Sequence, residues 1–433
     1  VIGTGYLGAT HAACMAELGF DVVGVDVDEA KVAALSAGEV PFYEPGLRDL
    51  VARHVESGRL RFTTSFTQAA EFGDVHFVCV GTPQRADGLA ADLTFVDDAV
   101  TALARHLTRP ALVVGKSTVP VGTADRLLDL IRRTAPAGHD VSLAWNPEFL
   151  REGHAVDDTL TPDRLVFGVV RDEDEAVLRE VYAKALANDC PLVVTDFPTA
   201  ELVKVAANSF LATKISFINA IAEICEVVDA DVVALADAIG HDARIGRRFL
   251  NAGLGFGGGC LPKDIRAFMA RAGEIGASDA LTFLREIDSI NMRRRQRAVE
   301  ITRDVLGGSV LGARVAVLGV AFKPESDDVR DSPALNVAGQ LQLQGAAVRV
   351  FDPKAMDNAR RVFPTLRYAP SVTEALDRAD VVLHLTEWRQ FAELDPHQVR
   401  TLVSRPVIID GRHTLDPDAW RAAGWVYRGM GRP

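Results

Sequence analysis

The 433-residue chain has no run of 18 or more apolar residues, which excludes a helix that spans a membrane. It also has no long block of Lys and Arg, and its net charge is -12, which argues against nucleic acid as a main partner. An anionic ligand would therefore need local Lys and Arg to offset the global charge. Cysteine is scarce and odd in number: Cys14, Cys79, Cys190, Cys225 and Cys260, with no CxxC or other metal spacing. Neither a disulfide framework nor a metal site is expected, and a reduced, cytoplasmic protein is the simplest reading. No low-complexity segment and no signal peptide is visible, although Val1 already reads as the interior of a strand, "VIGTG".

What remains is ordinary globular material, 48% hydrophobic and 24% charged, long enough for two or three domains. Short apolar runs alternate with helical stretches through the first half: "FDVVGVDVD", "DVHFVCVGTP", "ALVVGKSTVP", "VSLAWNPEF", "RLVFGVV" and "CPLVVTD". That alternation predicts βαβ units and a doubly wound parallel sheet. Residues 199–239 contain no Pro or Gly and keep apolar groups near helical spacing, which predicts a long helix and at least one more. Residues 265–305 are helical in pattern as well. A second α/β unit starts near 313 with "ARVAVLGVAFKP" and runs through "ADVVLHLTEW" and "RPVIIDGRH". The expected division is 1–196, a Rossmann-like domain; 197–305, a central helical domain; and 306–433, a second Rossmann-like domain. Cys14, Cys79 and Cys225 fall in apolar periodic segments and read as small core residues.

"GTGYLG" places Gly3, Gly5 and Gly8 after a strand and at the opening of a helix, with Tyr6 and Leu7 in its first turn. Gly3 allows the tight turn, Gly5 lets backbone approach a pyrophosphate, and Gly8 lets helix and strand pack closely. The helix start then faces the phosphates. Asp26 ends the next strand, 18 residues after Gly8. A carboxylate there accepts from a ribose 2′-hydroxyl and repels a 2′-phosphate, which favours NAD over NADP.

"GFGGGCLPKD" puts Cys260 behind glycines and before Pro262, a residue suited to a first helical turn. The positive end of a helix dipole there stabilises a thiolate. The glycines are expected to leave room for a substrate and to offer bare N–H groups. A thiol that adds to an aldehyde makes a thiohemiacetal with a hydride to give; its product is a thioester that water can hydrolyse. Such chemistry needs an oxyanion partner and a water activator. Lys204 and Asn208 are i and i+4 on one helix face, and Glu148 follows Pro147 at a predicted strand end. A buried structural Cys, a solvated helix face and an exposed loop acid are the plainer readings of the same residues.

The blocks "GTGYLG", "EVPFYEPGL", "VGTP", "STVPVGT", "NPEFLREG", "AELVKVAANSFLATKISFIN", "GFGGGCLPKD", "GVAFKPESDDVRDSPA" and "DGR", in this order over almost the whole chain, resemble the UDP-glucose/GDP-mannose dehydrogenase family. The resemblance implies four-electron oxidation of a nucleotide-sugar C6 alcohol to a carboxylate with two NAD and no metal. UDP-glucose is the implied substrate, with GDP-mannose the nearest rival and the N-acetylhexosamine branch less favoured. It also implies at least a homodimer, paired through the middle region. By resemblance Cys260 is the nucleophile, Lys204 and Asn208 stabilise the oxyanion, Asp264 with a water is the base, Thr118 assists, and Glu148 supports hydrolysis. Lys31, Thr82, Thr118 and Lys263 join the glycine turn as cofactor residues. Phe149, Leu150, Phe249, Asn251, Gly257 and Gly258 line the sugar nucleotide site, with Arg244 reaching toward the neighbouring subunit's sugar. Lys323 and Arg412 are the implied cations for the diphosphate. The chain departs from the family's usual residues at Phe249 (often Tyr), Ala252 (often Pro), Gly259 (often Ser) and His413 after the Arg (often Asn). None of these touches the implied chemistry. Two further classes stay open: an NAD-binding protein with a dead site, and a two-electron hydroxyacid dehydrogenase that needs no Cys.

Overall fold

The computed structural model describes residues 1–432. The chain forms two compact units: residues 1–207 together with 266–276, and the remainder.

The first unit holds β1 (Val22–Val25), β2 (Leu60–Thr63), β3 (Val75–Val78), β4 (Ala111–Gly115), β5 (Val141–Trp145), β6 (Leu165–Gly168) and β7 (Leu192–Thr195). Ile2 bridges Val25 on one side and Val78 on the other, both in parallel. The lateral order is thus β2-β1-Ile2-β3-β4-β5-β6-β7. Every residue of β4 and β5 is buried, as strands covered on both faces require. Within this otherwise parallel sheet one pairing is reversed: β6 meets β5 antiparallel at Trp145 and Gly168. The link from β5 to β6 carries only the short helix Ala155–Leu160. A right-handed parallel crossover normally needs a packing helix of greater length.

The second unit holds β8 (Arg314–Leu318), β9 (Ala347–Phe351), β10 (Arg367–Tyr368), β11 (Val381–His384), β12 (Val407–Asp410) and β13 (Val426–Gly429). Its order is β10-β9-β8-β11-β12-β13, all parallel. Counted from the first strand of each unit, both sheets follow the 3-2-1-4-5-6 order of dinucleotide-binding folds. The sequence shows no repeat, yet the topology is the same.

The long helix runs Phe197–Val228, with Pro198 harmless in its first turn. Asp231 caps the next helix, Val232–Gly240, by accepting from the N–H groups of Val233 and Ala234. Beyond residue 207 the long helix leaves Phe210, Phe217 and Ile224 exposed at 67%, 49% and 57%, seven residues apart. The helical pattern of 265–305 is two helices, Leu261–Glu274 and Thr282–Val305, broken at Gly276, whose φ is +76°. Among the described residues no helix is long and apolar enough to cross a membrane.

Candidate active site

The glycine turn in the first unit has the shape its spacing implies. A side chain at Gly8 would collide with the carbonyl of Gly3, and one at Gly3 would strike Val80. A Cβ on Gly5 would meet nothing within 4 Å, so this backbone is open to a ligand. Gly5 stands at the N-cap of helix Tyr6–Leu18, where no side chain caps the first N–H groups. Leu7 lies in its first turn. Tyr6 is engaged elsewhere: its hydroxyl donates to Glu44, whose oxygens also accept from the N–H groups of Gly153 and Ala155.

Asp26 is 8% exposed and follows β1. Burial opposes its charge, but Lys31 at 2.9 Å and the N–H groups of Thr4 and Asp28 outweigh it and hold the carboxyl below its usual range. It is a carboxylate at neutral pH, as recognition of a ribose diol requires. The residues present therefore fit NAD. In the second sheet Asp352 occupies the corresponding strand end, after β9. It already accepts from the N–H groups of Val320, Ala321, Lys354 and Ala355 and from the Trp388 indole, at 2.8 to 3.2 Å.

Past β5, Glu148 accepts from the Leu150 N–H at 2.8 Å and pairs with Lys204 at 3.1 Å. The Lys204 ammonium lies 5.6 Å from the centre of the Phe149 ring. Both members of the pair are nearly buried, so neither is the solvated group of the plainer reading. Thr118 accepts at its carbonyl from the Thr82 hydroxyl at 2.7 Å. Sequence reasoning missed the peg that holds this turn. Asn146 is buried, accepts from Lys116 at 2.9 Å and Tyr182 at 2.6 Å, and donates to the Val166 carbonyl. It missed Glu201 too, one turn before Lys204. A lysine in an apolar strand end was the only signal for Asn146, and Glu201 is indistinguishable by spacing from any other acid on a helix.

In the second unit Cys260 is exposed, directly before helix Leu261–Glu274. The other thiols differ. Burial pushes Cys14 up to about 12 and Cys79 up to about 11, and it raises Cys190 and Cys225 as well. Asp264, 1% exposed, accepts from the Asn208 amide at 2.6 Å and pairs with Lys263 at 2.7 Å. Asn208 and Asp264 are 56 apart in the chain, so sequence offered no sign that they meet.

The glycine run does not clear a space, and the reason is close packing. A Cβ at Gly258 would lie 2.8 Å from the Phe322 ring; one at Gly253, Gly255, Gly257 or Gly259 would overlap Gly411, Asn291, Asp331 or Arg330 respectively. Nor are all its N–H groups bare, since Gly258 donates to the Arg330 carbonyl at 2.9 Å. Arg412 is likewise no open cation. Its guanidinium donates to the carbonyls of Leu385, Gly255 and Phe322 at 2.8, 3.0 and 3.3 Å and pairs with Glu387 at 3.2 Å. It clamps the loop that leads to Cys260. Lys323 lies 5.5 Å from the centre of the Phe322 ring, in the loop after β8. Arg244 is exposed and bidentate to Asp242. Phe249 takes a left-handed φ of +67°, and Asn251 accepts from Arg247 at 2.7 Å. Among the described residues no cluster of His, Cys, Asp or Glu is arranged to hold a metal.

An open glycine turn, a charged acid at the next strand end and two sheets of one order define a dinucleotide-dependent dehydrogenase with a second nucleotide-binding fold. The chain belongs to the UDP-glucose/GDP-mannose dehydrogenase family: residues 1–186 match its NAD binding domain, 198–293 its central domain and 316–417 its UDP binding domain. The UDP-glucose 6-dehydrogenase of Rhizobium meliloti is 43% identical over all of this chain and 99% of its own length. That of Bacillus subtilis called TuaD is 42% identical over all of this chain and 93% of its own. A UDP-glucose dehydrogenase structure from Pyrobaculum islandicum superposes with a TM-score of 0.91 at 38% identity, covering all of this chain and 97% of its own.

Proposed function

We propose that the chain oxidises the C6 alcohol of UDP-glucose to the carboxylate of UDP-glucuronate, consuming two NAD and one water. One arrangement carries this reading: the exposed thiol of Cys260 opens a helix whose first-turn acid, Asp264, is buried against Asn208. NAD, when bound, accepts the hydride of each oxidation. The chain's own groups move the protons and hold the carbon. Asp264, through a water, takes the proton of the C6 hydroxyl as the first hydride leaves. Cys260 adds as thiolate to the aldehyde, and the helix N-terminus favours that charge. Lys204 and Asn208, one turn apart on the long helix, donate to the oxygen that becomes an alkoxide. Loss of the second hydride leaves a thioester on Cys260. Glu148, assisted by Thr118, orders the water that releases the acid and restores the thiol.

The same proposal assigns NAD to Gly3, Gly5, Gly8, Asp26, Lys31 and Thr82, with Lys263 beside them. It assigns the sugar nucleotide to Phe149, Leu150, Asn251, Gly257, Gly258 and Lys323, with Arg412 acting through the loop it clamps. It keeps three domains, at 1–196, 197–305 and 306–433. A homodimer through the exposed apolar stripe of the long helix, with Arg244 serving the neighbour, belongs to it as well. So does a cytoplasmic location. The deciding measurement is NADH formed per sugar consumed, with UDP-glucose and GDP-mannose offered separately. Two per UDP-glucose with a uronate product is expected. One per sugar overturns the role of Cys260, and two per GDP-mannose moves the substrate.

A further inference from the structure

Glu201 stands on the long helix one turn before Lys204, and only 2% of it is exposed. Its two carboxylate oxygens accept from two backbone groups, the N–H of Gly122 and the N–H of Ala124, both at 2.7 Å. Those two residues begin helix Thr123–Thr134, whose N-cap Gly122 has no side chain with which to cap it. The segment that leads into this helix carries Thr118. It is held at one end by Ser117, which donates to the Val80 carbonyl at 2.6 Å, and near the other by Arg271, which donates to the Val121 carbonyl at 3.0 Å. Glu201 closes that far end.

We infer that Glu201 is a positioning residue that fixes the Thr118 segment to the Lys204 face of the long helix, and that it does so fully only as a carboxylate. Protonation turns one acceptor into a donor, which faces an N–H and breaks one of the two bonds. The acid titrates where this matters. Burial raises its pKa to about 7, against the pull of the Gly122 and Ala124 N–H groups and with help from Asp125. The other charged groups around this junction are Arg271, which pairs with Glu274 at 2.9 Å, and Lys204, which pairs with Glu148 at 3.1 Å. Neither is paired with Glu201. The catalytic part of the inference rests on the proposed roles of Thr118 and Lys204; the capping part does not.

Two measurements separate those parts. The first is hydrogen exchange of the 120–126 backbone between pH 6 and 8, corrected for the intrinsic pH dependence of exchange, in the unmodified protein and in Glu201→Gln. A change of protection through about pH 7 that the variant lacks is expected; flat protection in the unmodified protein overturns the inference. The second is the pH profile of kcat with UDP-glucose and NAD. Glu201→Gln should lower kcat about ten- to a hundredfold, the scale of a small misplacement, and should erase the part of the acid limb near pH 7. A variant that keeps the original acid limb sinks the positioning role. Exchange that behaves as expected in a protein that turns over no nucleotide sugar overturns the proposed activity and leaves the cap standing.

Discussion

Cys260 and Cys79 carry the same thiol in opposite surroundings. Cys79 is walled in and its proton is held, whereas Cys260 is exposed at a helix start. Cys260→Ala should therefore leave NAD affinity intact and stop uronate release, read by NAD titration and by product assay on one preparation. Normal steady-state uronate from that variant would refute covalent catalysis. At this scale much was legible. Gly3, Gly5, Gly8 and Asp26 are fixed by spacing, because a turn, a pyrophosphate and a ribose impose a fixed geometry on backbone and carboxylate. The partners of Asp264 and Glu201 were not legible. Hydrogen bonds that join residues 56 and 79 positions apart leave no local pattern.

Elements show where local rules end. The Pro- and Gly-free stretch from residue 199 announced the long helix, since nothing in it interrupts the hydrogen-bond ladder. The reversal between β5 and β6 was hidden, because apolar runs read the same in either direction. The glycine run shows the same limit: its composition was plain, but its cause lies in Phe322, Asp331 and Gly411, which belong to distant loops. Gly258→Ala would place a methyl 2.8 Å from the Phe322 ring at a φ of +83°. It should cost about 1 to 3 kcal/mol, seen as a lower urea midpoint, and should slow turnover more than it weakens NAD binding. The stripe of Phe210, Phe217 and Ile224 makes a second test. Phe217→Glu should shift the protein to monomer in light scattering, and an unchanged mass would exclude that face as the pairing surface.

Across the whole molecule, His11, His76 and His413, held neutral by desolvation, contribute to the response to acid. Burial lowers His11 and His413 from the usual 6.5 and lowers His76 to about 4. The unfolded chain binds their protons below pH 6.5 and the folded chain does not, so their contribution is present above 6.5 and is lost as pH falls toward 4. His76 alone accounts for about 3 kcal/mol across that window. Glu201 has the opposite sign: its raised pKa makes it stabilise most below about 4.5 and lose that contribution as pH rises through about 7. With three histidines against one acid, the melting temperature should drop on acidification from pH 7 to 5; a flat profile would show that these rings are hydrated. The general architecture was readable because two α/β patterns flank a helical stretch, while the shared strand order of the two sheets emerged only from pairing. That likeness stops at one carboxylate. Asp352 accepts from four backbone N–H groups and the Trp388 indole, whereas Asp26 is paired with Lys31, and the proposed function seats NAD at the first sheet alone. On the proposed mechanism that one seat serves both oxidations: the spent carrier leaves and a fresh one enters while the half-oxidised sugar stays, and a bond to Cys260 would be what holds it.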